Sequence, residues 1–449
     1  MTSAPAPLPL GPTTQRQAPP RFSARPAGEA TLTRQPAPPP GTEVRLLRGR
    51  DSWWAVHGNR VARLPLAAVH GEGPAPTLTP QARAALAEGR FFASPNADTY
   101  AVTVLTATAC NLGCSYCFQN TALPPPGSSA PPRIRAATLT SDLIARTTAF
   151  VQRQMSRFGQ GQASLLLFGG EPLLNPVGAV RILRALQPLN LVDADIVTNG
   201  VLLTPRLAGQ LTAAGLRRMQ ITFDGARPDH DRIRVTRDGR ATYDKILRNV
   251  ADAVRRTDLS WTFRVNVSHR NIGDLDRLIE DLASVTVPGR TSLHLSLVDD
   301  VGLGYDNAVG YTPGLADRFI ALHARAIEYG MTIPVSKPLT ACPYCSTFGG
   351  DGGAVINADG HLYSCWETAG REGWSVGDVT DGYLPAETIR SRWVPCDYDI
   401  LPHGSDEQAR EFFDRVDATA LDGMYAAGRL AAPAPGRAPA VEPRSAHRP

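Results

Sequence analysis

Three cysteines, Cys110, Cys114 and Cys117, stand in a CxxxCxxC run directly after the apolar, β-branched stretch 100–105. That is the pattern of a strand ending in a thiolate-rich loop. Because a [4Fe-4S] cluster is usually held by four thiolates, a compact loop that offers three leaves one iron open to a ligand from outside the protein. Chemistry can happen at that corner. The competing reading is a zinc knot, but structural zinc closes on four ligands, and no Cys or His follows Cys117 closely enough to act as a local fourth.

With Phe118 in the aromatic place after the third cysteine, the run resembles the signature of the radical S-adenosylmethionine (SAM) superfamily. The resemblance implies that the open iron is chelated by the amino and carboxylate groups of SAM. An electron from the cluster then cleaves SAM to methionine and a 5′-deoxyadenosyl radical, which takes a hydrogen atom from an unactivated carbon. The protein's task is to position the target and to exclude water and other hydrogen donors.

Further residues fall where the resemblance needs them. Gly169, Gly170, Glu171 and Pro172 follow the apolar run 165–168, and glycines let a backbone approach a ligand closely. The resemblance gives this segment the SAM amino group, through backbone carbonyls and the Glu171 side chain; a plain strand-end turn is the alternative. Thr198 and Asn199 end the next strand-like run and resemble polar groups that face the cofactor, although Asn-Gly is also a common turn dipeptide. Arg264 and Asn266 share one face of a later strand by two-residue alternation. There Arg264 meets either the SAM carboxylate or a barrel acid in a structural ion pair. The run 220–225 followed by 230–234 resembles a segment of peptide-modifying members, which makes Asp224 and His230 the candidate catalytic residues near substrate. A loop-end carboxylate satisfied within the protein is the alternative for Asp224.

A second group comprises Cys342 and Cys345 in a CPYC run, Cys365, and Cys396. The stretch 354–364 reads as a hairpin with Asp359-Gly360 at its turn, which would bring Cys345 and Cys365 together. The spacing from Gly360 to Cys365, with Gly377-Asp378-Val379 after it, resembles the auxiliary-cluster domain of SPASM/twitch radical SAM proteins. Full SPASM domains carry further cysteines, and nothing after Cys396 supplies them. The expectation is therefore one auxiliary [4Fe-4S] cluster in a twitch-like or shortened SPASM domain. Zinc is the competitor at this site, and if Cys396 lies elsewhere the cluster keeps an open iron for substrate.

These groups need a scaffold. Strand-like runs at 102–105, 164–168, 195–198, 218–223, 261–267 and 292–297 alternate with amphipathic stretches such as 143–155 and 272–282. Six βα units in order require a parallel sheet with helices outside, an α/β class. Composition does not distinguish an open sheet from a barrel; the resemblance implies a partial (β/α)6 TIM-like barrel with its site at the C-terminal ends of the strands. Upstream, the runs 44–47, 53–56 and 61–64 read as short strands, and Thr79-Pro80 opens a helix. In this small N-terminal β-rich module Trp53 and Trp54 serve either packing or a binding face. A closing amphipathic helix carries Phe412, Phe413, Val416, Leu421 and Met424. The expected layout is a disordered Pro/Ala-rich arm over 1–42, the module over 43–95, the barrel over 96–305, the auxiliary domain with its closing helix over 306–430, and a disordered tail over 431–449. The Pro-rich insert 123–132 is either a surface excursion or part of the mouth of the site.

Composition narrows the function. With 43% hydrophobic and 20% charged residues over 449 positions, the chain has the balance of an ordinary soluble protein. A net charge of +4 without a Lys/Arg run argues against a nucleic-acid stripe. No stretch reaches the length of a bilayer span, and the first residues lack a basic-then-apolar leader, so the expectation is a cytoplasmic chain with no membrane partner. Seven cysteines, an odd number, read as metal ligands or catalytic thiols rather than a disulfide framework.

Members with a C-terminal auxiliary cluster mostly resemble maturases of ribosomally made peptides, which abstract a hydrogen and close a C–C, C–S or C–O crosslink. Such crosslinking loses a second electron, and an auxiliary cluster is a sensible acceptor. By analogy, the expectation is an enzyme of this kind, with a precursor peptide as substrate and a ferredoxin or flavodoxin as reductant. The alternatives are oxidation of Ser or Cys to formylglycine, as in sulfatase maturation, radical dehydrogenation of a small molecule, and a non-catalytic peptide-binding scaffold. Intact Cys110, Cys114, Cys117, Glu171 and Arg264 argue against the scaffold.

Overall fold

The computed structural model describes residues 44–58, 60–71, 76–93, 98–114, 116–117, 119, 134–298, 309–336, 344, 348–393 and 407–430. The arm 1–42, the tail 431–449, the insert 123–132, Phe118, Cys342, Cys345 and Cys396 lie outside the described residues.

A three-stranded antiparallel sheet comes first: β1 (Arg45–Arg48), β2 (Trp53–His57) and β3 (Arg60–Leu64). The short pair β4 (Val69–His70) and β5 (Thr77–Leu78) follows, then α1 (Pro80–Glu88). Thr79 caps α1 by accepting from the Ala82 amide, with Pro80 at the first helical position. Ala55, Ala62, Leu78, Leu86 and Phe91 make a small core of their own beneath this sheet.

From Thr99 strands and helices alternate. In order they are β6 (Thr99–Ala107), α2 (Ser141–Phe158), β7 (Gln162–Gly169), α3 (Pro176–Leu186), β8 (Leu191–Thr198), α4 (Pro205–Ala213), β9 (Arg218–Phe223), α5 (Arg227–Ile233), α6 (Tyr243–Val254), β10 (Ser260–Val267), α7 (Leu275–Ala283), β11 (Thr291–Leu297) and α8 (Pro313–Glu328). Strands β6 to β11 lie side by side in chain order, each parallel to the next. This is the mixed α/β fold with a parallel central sheet that the alternation predicts. The amphipathic stretch 272–282 begins as a single 3-10 turn over Ile272–Asp274 before α7 proper.

Two-residue alternation sorts the side chains. On β10, Trp261, Phe263, Val265 and Val267 are buried, whereas Thr262, Arg264 and Asn266 point to the other, partly open face. Register puts Thr222, Arg264 and His294 side by side on β9, β10 and β11. One end of the sheet thus presents polar groups in cross-strand rows.

The C-terminal strands extend this sheet rather than forming one of their own. β12 (Gly353–Ile356) pairs in parallel with β6, on the side away from β7. The sheet continues through β13 (His361–Tyr363), β14 (Gly377–Asp378) and β15 (Gly382–Tyr383) to ten strands. β12 and β13 are the expected hairpin: Gly360 adopts φ +88 in its turn and donates to the Asn357 carbonyl at 2.9 Å. After α9 (Ala386–Ile389), the closing helix α10 (Glu407–Ala426) buries Phe412, Val416, Leu421 and Met424. It reaches back to the start of the chain. Arg45 on β1 donates to Asp414 at 2.7 Å and to Asp417 at 2.6 Å, and the Trp54 indole donates to Asp422 at 2.8 Å. Trp54 therefore serves packing, being buried with its N–H engaged. Among the described residues no helix is long and apolar enough to cross a membrane.

Candidate active site

The site is assembled where β6, β7 and β8 end. Gly169 and Gly170 bring the turn after β7 hard against the end of β6: a Cβ on Gly169, which adopts φ +138, would stand 2.3 Å from the Ala107 carbonyl oxygen. One on Gly170 would stand 2.3 Å from that of Thr108. The close approach that requires glycine is thus to the chain's own backbone, just before Cys110. The amides of Gly170 and Glu171 donate to the carbonyls of Ala107 and Ala109 at 3.0 and 2.9 Å. The two strand ends are stitched together.

Glu171 then ties β7 to β8. Its fully buried carboxylate accepts from the Leu173 amide at 2.9 Å, the Thr198 hydroxyl at 2.6 Å and the Asn199 amide at 2.8 Å. Burial raises its pKa while these donors pull the other way. Asn199 in turn spans to the cysteine loop: its Nδ2 donates to Asn111 Oδ1 at 2.8 Å and lies 3.8 Å from Cys110 Sγ. Gly169, Gly170, Glu171, Thr198, Asn199 and Cys110 are one contiguous unit.

A second unit lies across the mouth. Arg264 donates to Asn266 Oδ1 at 3.1 Å and to Ser296 Oγ at 2.8 Å, which are neutral partners. Asn266 donates to Asp224 Oδ1 at 3.1 Å and to Tyr116 Oη at 2.7 Å. Tyr116, between the second and third cysteines, donates its hydroxyl to Asp224 at 2.5 Å. Arg234 completes the set, 3.1 Å from Tyr116 Oη and 3.8 Å from Asp224. Burial raises the Asp224 pKa, with Arg234 opposing. This carboxylate is satisfied within the protein and binds the cysteine loop to β9 and β10. Tyr116 and Arg234 are the residues that sequence reasoning missed; both stood inside motifs read for other residues, and only their partners were invisible.

His230 is not a free base. It is fully buried, its Nδ1 lies 3.4 Å from the Asp224 amide and its Nε2 lies 3.2 Å from Thr242 Oγ1. Its ring packs on Phe223 and Tyr243. Burial, then Arg234, holds its pKa well below the ordinary imidazole value. With both nitrogens engaged and no exposed surface, it packs behind the end of β9.

The donor set at the loop fits an iron–sulfur cluster. Cys110, Cys114 and Cys117 make no disulfide with one another, and behind burial, the largest cause, Cys114 and Cys117 lie near enough to help raise the Cys110 pKa. Burial pushes Cys110 up to about 12 and Cys114 up to about 11, so metal must displace their protons to bind. Among the described residues no three His, Cys, Asp or Glu groups converge as they would around one ion; a cubane takes each thiolate on a different iron. Of the second group, Cys365 is buried just after β13. The adjacent Trp366 packs on Tyr344 and Phe168 and accepts at its carbonyl from Gln119 Nε2 at 3.2 Å. A side chain two residues after Cys117 thus touches the residue next to Cys365.

A family model of the radical SAM superfamily matches residues 104–282. An AdoMet-dependent heme synthase of Methanosarcina barkeri is 30% identical over 343 residues, which cover 69% of this chain and 91% of that protein. This chain belongs to the radical SAM superfamily. A GTP 3′,8-cyclase of Xanthomonas campestris pv. campestris is 30% identical over 282 residues, covering 57% of the radical SAM chain and 76% of its relative. Among solved structures, native anSMEcpe with bound AdoMet is similar with a TM-score of 0.50 and 14% identity, over 74% of this radical SAM protein and all of that chain (100%). That likeness is one of fold. Membership brings SAM and a [4Fe-4S] cluster as the expected cofactors.

Proposed function

We propose that this radical SAM enzyme acts on a residue of a ribosomally made precursor peptide and installs a C–C, C–S or C–O crosslink. The observation that carries this reading is the attachment of the segment with Cys365 to the central sheet: β12 pairs with β6, and Gln119 joins the first cysteine loop to Trp366 beside Cys365. Closing a bond between two substrate atoms removes two hydrogens. One leaves as a hydrogen atom and the other as a proton and an electron, so an acceptor close to the first site is required. Fold neighbours add support, since anSMEcpe of TM-score 0.50 also forms a structure with AdoMet and the Kp18Cys peptide.

In this reading Cys110, Cys114 and Cys117 hold the cluster that, with SAM, supplies a 5′-deoxyadenosyl radical when bound. The Gly169–Glu171 turn, Thr198 and Asn199 shape the SAM side of the site, and Arg264 with Asn266 meets the SAM carboxylate. Asp224 orients Tyr116 and the loop that carries the cysteines. Cys342, Cys345, Cys365 and Cys396 hold one auxiliary [4Fe-4S] cluster, and a ferredoxin or flavodoxin delivers electrons.

Co-expression with a peptide encoded beside the gene, followed by mass spectrometry, tests the proposal: a crosslink gives a mass loss of about two hydrogens and a bridged fragment pattern. An unmodified peptide together with 5′-deoxyadenosine formation would leave the radical chemistry and remove the substrate. The heme synthase relative supports a second reading, radical chemistry on a tetrapyrrole, and a tetrapyrrole turned over in the same assay would favour it. Metal analysis decides the second site, where about eight irons per chain mean two cubanes. About four irons with one zinc would replace the auxiliary cluster by a structural ion.

A further inference from the structure

The loop that carries Cys110, Cys114 and Cys117 is gripped from outside by residues 234–237, which follow α5. The grip is a short antiparallel bridge centred on Leu112 and Thr236. The Gly113 amide donates to the Val235 carbonyl at 3.0 Å, and the Arg237 amide donates to the Asn111 carbonyl at 3.3 Å. Side chains add to it. Arg237 Nε donates to the Cys110 carbonyl at 2.7 Å, and Arg234 donates to Tyr116 Oη at 3.1 Å. Four residues of one eight-residue stretch, Cys110, Asn111, Gly113 and Tyr116, are thus held by Arg234, Val235 and Arg237.

The gripping segment is itself anchored. The Arg234 amide donates to the His230 carbonyl at 2.7 Å, and the Thr242 hydroxyl, which also meets the His230 ring, donates to the Arg234 carbonyl. Beyond Arg237 the chain turns back, with the Thr236 amide donating to the Arg240 carbonyl at 3.0 Å. Buried His230 finds its purpose as the base of this structure. Arg234 is nine-tenths buried, and its Nε is a buried donor without an acceptor among the described residues. Salt screens a charge kept there only weakly, and its nearest counter-charge is Asp224 at 3.8 Å.

We propose that residues 234–237 are a clasp that preshapes the cysteine loop and that Arg234 and Arg237 are positioning residues for the cluster. The proposal rests on the assignment of Cys110, Cys114 and Cys117 as cluster ligands. Two consequences follow. Holding the loop backbone in place before metal arrives slows loss of iron, because a ligand-bearing loop must open to release it. Placing a buried guanidinium beside the ligand loop favours the more negative, reduced cluster, since cluster potential follows local charge and hydrogen bonding.

The test uses the full chain, parent against Arg237→Gln and Arg234→Gln, with Cys114→Ala as the ligand control. In the metal-free proteins, hydrogen exchange should find the Gly113 and Arg237 amides protected in the parent and exposed in Arg237→Gln. After anaerobic reconstitution, Arg237→Gln should lose its iron–sulfur absorbance to a chelator about 10–100-fold faster than the parent. Arg234→Gln should shift the midpoint potential to more negative values in an EPR-monitored titration. If Arg234→Gln does not fold, the two Arg237 measurements decide alone. A parent that takes up no iron would end the cluster assignment itself. A parent that holds iron, beside variants with parental exchange, release and potential, would end the clasp.

Discussion

Glu171 accepts three hydrogen bonds from two different strand ends, and it does so with no exposed surface. Removing the carboxylate leaves the Leu173 and Asn199 amides buried without an acceptor, each at a cost of about 1–3 kcal/mol. Glu171→Ala should therefore lower stability by several times that of an ordinary surface change, read as a fall in urea midpoint at unchanged slope. Glu171→Gln, which keeps the shape, should lose less. An Ala variant with the parental midpoint would show that the strand ends are held by something else. At this scale residue types were readable and partners were not. Tyr116 lies inside the CxxC spacing, but the carboxylate it bonds follows the end of β9, 108 residues later, and only folding brings them together.

At the scale of elements, the end of β7 is fixed by backbone geometry. Gly170→Ala would force a methyl group to 2.3 Å from the Thr108 oxygen and 2.5 Å from that of Ala109. Both are main-chain atoms without rotamers, so the loop leading to Cys110 must move. The expected outcome is a protein that folds less stably and retains less iron after reconstitution; parental iron and stability would mean the turn has slack. Helix α8 carries a separate, titratable feature. His323 is buried with Nδ1 lacking a hydrogen-bond partner among the described residues, and burial lowers its pKa from 6.5 to about 4. Between those values the unfolded chain binds a proton that the folded one refuses, so stability rises with pH across the window. The contribution is complete above pH 6.5 and lost as pH falls toward 4, up to about 3 kcal/mol at one pKa unit per 1.4 kcal/mol. His323→Leu should flatten that acid limb in pH-dependent urea melts. Identical slopes in parent and variant would contradict it. The helix was legible from periodicity, whereas the environment of His323 was set by what α10 and its neighbours place around it.

For the molecule as a whole, the first and last described segments are locked together. Arg45 on β1, partly buried, pairs at 2.6 Å with buried Asp417 on α10, and Asp417 also accepts from the Ser336 amide at 3.2 Å. Removing Asp417 leaves Arg45 with only the half-exposed Asp414 and takes the acceptor from the Ser336 amide, at a cost of about 1–3 kcal/mol. Asp417→Ala should free the N-terminal sheet from α10, seen as faster proteolysis in residues 44–64 and a lower melting temperature. Asp414→Ala, at a half-exposed carboxylate, should do much less. Equal effects of the two substitutions would mean that burial at Asp417 carries no special weight. This lock also explains why a helix that looks like a plain closing element carries Asp414, Asp417 and Asp422 on its inner side: each meets a group from residues 45–54.

The amino-acid sequence by itself determined the six βα units, the capped helix starts, the β12–β13 hairpin and the superfamily. Each rests on residues close together in the chain, where periodicity, turn chemistry and ligand spacing act directly. The tertiary structure alone decided that β12 continues the barrel sheet at β6 and that Glu171 and Asn199 join β7 and β8 to Cys110. Those outcomes depend on hydrogen bonds between residues tens to hundreds of positions apart. A carboxylate, an imidazole or a sheet edge has the same appearance in sequence whatever fills its bonds, and only the packed chain fixes which partner does.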